Sequence, residues 1–273
     1  MPELPEVETI RRTLAAHVGG LVIRQVHVFW PPALSGWEGR EMADIVQGQK
    51  IASLGRRGKY LLIHLQREWT LVAHMRMTGR LYYFPEAHAA NKHTHAVFEL
   101  DRGELHFMDT RKFGRIQAVP NAWLGEVPAL RRLGPEPLDE SFTPEVLGQR
   151  LHAKKVKLKA ALLDQAVIAG LGNIYADEAL FAAGLHPEKP AAALNGTELV
   201  KLHGAIQSVL QAGIDSRGTS FRDYRDANGE MGSFQARLNV YGRAGEPCRK
   251  CGRALAKLRL GGRTTVFCPE CQR

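Results

Sequence analysis

The sequence predicts an α+β protein with a strand-rich N-terminal region, a helical middle and a short metal-bound ribbon at the C-terminal end. Three observations carry that prediction. Apolar residues alternate with the period of strands up to about residue 120, recur with the period of helices from about residue 125, and are followed by four cysteines in two C-x2-C pairs.

The chain opens "MPELPEVE". Pro5 suits the first position of a helix, Glu6 and Glu8 suit the positive end of its dipole, and Val7, Ile10, Leu14 and Val18 recur on one face. Pro2 and Glu3 fall outside that explanation. Gly19 and Gly20 stop the helix, and "LVIRQVHVFW" alternates Val22, Val26, Val28 and Trp30 as a strand ended by Pro31 and Pro32. "KYLLIHL" and "WTLVAHMRM" read as paired strands, and "HAVFEL" and "ELHFMD" as a hairpin over "DRG".

"LGPEPL" is a linker into helices. Thr143 is an N-cap with Pro144 in the first turn, and "VKLKAALLDQ" and "NIYADEALFAAG" follow, with Gly184 as a stop. In the next helix Leu199, Leu202, Ile206 and Leu210 share a face. The polar, glycine-rich "SRGTSFRDYRDANGEMGS" is a long loop, "FQARLNVYGR" is strand-like, and "LGGRTTVF" forms a hairpin tip presenting Arg263.

Charge narrows the partner. The 273 residues carry 37 Lys and Arg against 28 Asp and Glu, a net charge of +9, which is the footprint of a polyanion binder. Nucleic acid leads; no basic amphipathic helix points to a membrane surface, and no apolar run is long enough to cross one. Without a signal peptide, a cytoplasmic location is expected. Cys248, Cys251, Cys268 and Cys271, spaced C-x2-C-x16-C-x2-C, suit one structural zinc ion better than two disulfides.

Taken in order, "PELPEVET", "RRGKYLL", "HMRMTGR", "DTRKFG", "LGPEPL", "GLGNIYADEALF", "VYGR" and the cysteine ribbon make the chain resemble the bacterial formamidopyrimidine-DNA glycosylases end to end. The resemblance implies a β-sandwich domain with the first helix over residues 1–125. It implies a helix-two-turns-helix domain over 126–233 with a lesion loop at 215–232, and a zinc finger over 234–273. It implies a monomer acting on damaged double-stranded DNA at the nucleoid, excising oxidised purines such as 8-oxoguanine and then cutting the strand.

Residue by residue, the resemblance assigns the nucleophile to the amine of Pro2 once Met1 is removed. A terminal amine is far less basic than a lysine, so more of it is unprotonated near neutrality. Glu3 is implied as proton donor, Glu6 as a supporting or proton-relaying carboxylate, Lys59 as a lysine of the elimination steps and Arg263 as a phosphate contact for the second elimination. Met77, Arg111 and Phe113 are implied to fill the gap left by the flipped base, and His93, Lys154, Lys155, Asn173 and Tyr241 to contact DNA. By residue type alone Met77 and Phe113 read as core, and Lys59, Lys157 and Lys159 as solvated. Endonuclease VIII, which prefers oxidised pyrimidines, and a non-catalytic zinc-ribbon DNA binder are the alternative readings.

Overall fold

A computed structural model describes residues 1–221 and 223–273; Arg222, inside the expected 215–232 loop, lies outside the described residues. The chain packs into two compact units, Met1–Arg131 with Ser216–Ser233, and Arg132–Asp215 with Phe234–Arg273.

In the first unit, α1 (Leu4–Val18) precedes β1 (Ile23–Val28), β2 (Leu34–Ser35), α2 (Met42–Val46) and β3 (Ile51–Arg57). Then come β4 (Tyr60–Leu65), β5 (Trp69–His74), β6 (Gly79–Phe84), β7 (Thr94–Leu100), β8 (Glu104–Asp109), β9 (Arg115–Pro120) and α3 (Pro128–Arg131). The strands form two sheets, ordered β1-β7-β8-β6 and β2-β9-β5-β4-β3. One core joins them: Leu81, Phe98, Leu105 and Phe107 from the first sheet meet Leu61, Ile63, Leu71 and Ile116 from the second, with Val7, Ile10, Leu14 and Val18 of α1. The helical face read from the sequence is therefore the buried one. The expected alternation in β1 does not hold. A register shift between Ile23 and Gln25 turns both Ile23 and Val26 inward, and Val28, the last residue of the strand, is exposed.

The second unit holds α4 (Pro144–His152), capped by Thr143 Oγ1 accepting from Val146 N–H, then α5 (Leu158–Leu163) and α6 (Asn173–Ala183). It continues through α7 (Gly196–Asp215) to the hairpin of β10 (Ala256–Leu260) and β11 (Arg263–Phe267). α6 ends at Gly184 with φ of 71°, the left-handed stop expected there.

Packing groups two segments differently from the sequence expectation. The loop assigned to the helical domain packs in the N-terminal unit, because Ala227 is core and its carbonyl accepts from Tyr83 N–H. The ribbon packs with the helices, because Gln272 donates to the Leu185 carbonyl and β11 is bonded to α5 and α6. "FQARLNVYGR" is not a strand. It makes a short 3-10 turn at Phe234–Arg237, after which Glu178 takes up the backbone N–H groups of Asn239, Val240 and Tyr241, leaving none of the three for a sheet partner. No helix among the described residues is long and apolar enough to cross a membrane.

Candidate active site and DNA-binding residues

At the start of α1 the residues left unexplained by helix capping alone sit in a buried constellation. Glu3 is the N-cap, exposed by only 3 %, and forms a capping box with Glu6, whose Oε2 accepts from Glu3 N–H at 2.8 Å. Glu6 Oε1 accepts from Thr219 N–H at 2.7 Å, and its carbonyl accepts from the Tyr224 hydroxyl at 3.3 Å. The Glu6 carboxylate is thus held from two sides, by the Glu3 N–H and by the glycine-rich loop. Gly218, with φ of 82°, permits this approach: a Cβ there would lie 2.9 Å from Glu6 Oε1. Glu8, expected to serve the helix dipole, is instead buried in an ion-pair cluster with Arg11, Arg12 and Arg56. Burial opposes its ionisation, but the arginines outweigh it and hold the carboxyl down to about 2.

Lys59 lies in the turn from β3 to β4 and is buried, not solvated. Gly58, with φ of 54°, makes that turn, and its carbonyl accepts from Arg56 Nη1 at 3.0 Å. Near it His74 is pressed down to about 3 by burial and by the charges of Arg76 and Lys59, so this ring is neutral in the folded chain.

Met77, Arg111 and Phe113 do come together, and on the surface. Arg111 Nη1 lies 3.1 Å from Met77 Sδ, and its guanidinium lies 4.9 Å from the centre of the Phe113 ring. Met77 and Phe113 are 43 % and 47 % exposed, which overturns the core reading from residue type. They line an open pocket of about 460 Å³ with Met1, Arg76 and Arg115. The loop is shaped by Asp109, which the sequence reading did not single out. Oδ1 accepts from the Thr78 hydroxyl and Arg111 N–H, and Oδ2 from Phe113 and Gly114 N–H at 2.8 and 2.7 Å. Burial opposes the charge of Asp109, but these donors prevail and lower its pKa. The signal was an aspartate opening a six-residue turn that ends in glycine. His93 is half-buried, and its carbonyl accepts from Asp109 N–H.

In the second unit Asn173 begins α6, and its Nδ2 donates to the Thr264 carbonyl at 3.1 Å. Lys159 departs from the solvated reading: it is fully buried, with Nζ 2.6 Å from Asp177 Oδ1, 2.7 Å from Thr265 Oγ1 and 3.2 Å from the Thr264 carbonyl. Burial pushes the Asp177 carboxyl up to about 6 against the pull of Lys159. These bonds fix β11, whose first residue, Arg263, is exposed beside Leu260 and Gly261. The sequence placed no acid near Lys154, yet its Nζ is 2.7 Å from Asp164 Oδ2, because the short turn after α4 brings in the end of α5. Lys155 is exposed, and both lysines line an open groove of about 430 Å³. Tyr241 is half-buried, its N–H held by Glu178.

The four cysteine sulfurs lie within 4.8 Å of one another, with Cys248–Cys271 at 4.0 Å and Cys251–Cys268 at 3.5 Å. Zinc with Zn–S bonds of about 2.3 Å in a tetrahedron needs S–S separations of about 3.8 Å, so the set fits one ion. Lys250 N–H points at Cys248 Sγ and Cys271 N–H at Cys268 Sγ, as two knuckles would. Four thiolates complete the shell, so such an ion is structural.

Three family models match in chain order: formamidopyrimidine-DNA glycosylase N-terminal domain over residues 1–116, its H2TH domain over 133–225, and a zinc finger found in FPG and IleRS over 245–273. The chain belongs to the formamidopyrimidine-DNA glycosylase family. A formamidopyrimidine-DNA glycosylase of Desulfitobacterium hafniense is 56 % identical over 272 residues, covering 100 % of both chains. The MutM (Fpg) protein of Thermus thermophilus is 42 % identical with a TM-score of 0.90, covering 99 % of this chain and 98 % of that one. A Lactococcus lactis Fpg variant, solved in complex with DNA containing Fapy-dG, is 36 % identical with a TM-score of 0.93 and full coverage of both chains. The α+β class, the order of sheet, helical and zinc-finger segments and the four-cysteine site all agree with the sequence reading.

Proposed function

We propose that this protein is a bifunctional glycosylase and abasic-site lyase that removes oxidised purines, 8-oxoguanine and formamidopyrimidines, from duplex DNA. The observation that carries the proposal is the buried, bonded pair of Glu3 and Glu6 at the helix start that Pro2 precedes in the chain, with Thr219 of the glycine-rich loop bonded to Glu6.

With Met1 removed, the secondary amine of Pro2 attacks C1′ of the damaged nucleotide. The bond to the base breaks with its electron pair going to the base, which takes up the proton that the amine loses. O4′ then leaves C1′ with a proton from Glu3 as the sugar ring opens and the nitrogen lone pair forms the C=N bond. The product is an iminium joining Pro2 to C1′. It draws electrons from C2′, so loss of a C2′ proton expels the 3′ phosphate, and a second elimination expels the 5′ phosphate. Lys59 and Arg263 serve the eliminations and their phosphates, and Glu6 holds Glu3 in place through its N–H. Met77 and Phe113 enter the stack where the base has left, and Arg111 hydrogen-bonds the orphaned partner base. His93, Lys154, Lys155, Asn173 and Tyr241 contact DNA, Lys154 by exchanging Asp164 for a phosphate. Zinc, when bound to Cys248, Cys251, Cys268 and Cys271, holds the ribbon that carries Arg263. The protein acts as a cytoplasmic monomer on nucleoid DNA.

Borohydride reduction during reaction with an 8-oxoguanine duplex tests this. Peptide mapping is expected to find the cross-link on Pro2; a cross-link on a lysine refutes the nucleophile. Parallel excision from an oxidised-pyrimidine duplex separates this reading from an endonuclease VIII activity.

A further inference from the structure

Two of the places where the segment 216–233 packs within the N-terminal unit are residues 226–230 and Thr219. At one, residues 226–230 form a compact turn around the carboxylate of Asp226, which is 1 % exposed. Its Oδ1 accepts from Asn228 and Glu230 N–H at 2.9 and 3.0 Å. That turn is fixed to α1 and β6. Ala227 N–H donates to Thr13 Oγ1, the Ala227 carbonyl accepts from Tyr83 N–H, and Asn228 Oδ1 pairs with His17, whose ring stacks on Tyr83. At the other place Thr219 N–H reaches Glu6.

Immediately before Thr219 come Arg217 and Gly218, both left-handed, with φ of 57° and 82°. Glycine adopts this conformation freely, whereas an arginine is disfavoured in it by its Cβ. Yet the guanidinium of Arg217 is paired with Asp226 Oδ2, which raises the arginine's pKa and gives the strained backbone a fixed anchor. We infer that Arg217 and Asp226 are positioning residues: their ion pair clasps the neck of the loop to the fixed turn and holds the Thr219 amide on Glu6. The inference rests on Glu6 belonging to the active site, and adds that the clasp sets its arrangement for base removal.

The test uses the full-length zinc-loaded protein with Arg217→Ala, Arg217→Lys and Asp226→Asn; asparagine still accepts from Asn228 and Glu230, so the turn survives. Two readouts are compared, hydrogen exchange of the Thr219 amide in the free protein and single-turnover excision of 8-oxoguanine, with cutting at a preformed abasic site as the reference. A charged hydrogen bond to a buried carboxylate predicts Thr219 exchange about ten-fold faster or more in Arg217→Ala and Asp226→Asn. Excision falls by a similar factor, abasic-site cutting holds, and Arg217→Lys recovers part of both. Unchanged Thr219 exchange overturns the inference, and so does faster exchange with undiminished excision. Normal excision by Glu6→Gln would instead overturn the role of Glu6, leaving the exchange result as a separate reading of the clasp.

Discussion

Replacing Lys159 with methionine removes the ammonium from a site where the lysine is 0 % and Asp177 2 % exposed. The carboxylate then keeps the Val266 N–H bond at 3.2 Å but loses its counter-charge at 2.6 Å. Breaking one side of a buried ion pair costs about 3–5 kcal/mol. At about 1–3 kcal/mol per molar urea, the midpoint for the unit containing α5, α6 and the ribbon falls by about 1–5 M. Asp177→Asn in the same chain keeps an acceptor for Val266 and removes the stranded charge, so the double variant recovers most of the loss. The deficit also depends on pH. A carboxyl whose folded pKa is raised, here to about 6, contributes stability that is full below its unfolded value and lost as pH rises through the folded one. Without Lys159 that pKa rises further, so the Lys159→Met deficit grows from pH 4 to pH 7. Urea unfolding at both pH values, with zinc content measured, checks this. A loss below about 1 kcal/mol, or one equal at both pH values, refutes the claim that charge on Asp177 is what Lys159 offsets.

Cys268→Ser or chelation should release zinc and free the β10–β11 hairpin; because β11 is bonded to Lys159 and Asp177, hydrogen exchange should quicken in α5 and α6 too, and exchange confined to the ribbon would refute that coupling. His74, held at about 3, stays neutral while the unfolded ring titrates near 6.5, so stability present above pH 6.5 is lost as pH falls toward 3. His74→Gln should flatten that stretch of the stability profile. Lys155→Ala should lower the slope of log K against log salt by about 0.9, measured by fluorescence anisotropy on damaged and undamaged duplex alike. Phe113→Ala should leave the slope and slow lesion excision.

What was legible in the sequence was what local pattern encodes. Val7, Ile10, Leu14 and Val18 announced the buried face of α1, Thr143 and Gly184 the ends of two helices, and the cysteine spacing the metal site. What was not legible depends on partners distant in the chain. Lys159 looks like any lysine on a basic segment until Asp177 and Thr265 arrive from α6 and β11. The segment after Phe234 has the composition of a strand, but Glu178 captures its donors from 61 residues away. Likewise Glu6 reads as a helix-start charge, and only the loop 213 residues on fixes its second oxygen.

The turn built on Asp109 divides labour between backbone and side chains. Its carboxylate takes the N–H groups of Arg111, Phe113 and Gly114, so the path of the chain is set without reference to what Arg111, Lys112 and Phe113 carry beyond Cβ. Those three residues are exposed, and their side chains take no part in the hydrogen bonds to Asp109 that hold the loop. The tip is therefore an interchangeable head on a fixed handle: its exposed chemistry can be changed by substitution at three positions while the loop keeps its shape, whereas one change at Asp109 would scatter all three at once.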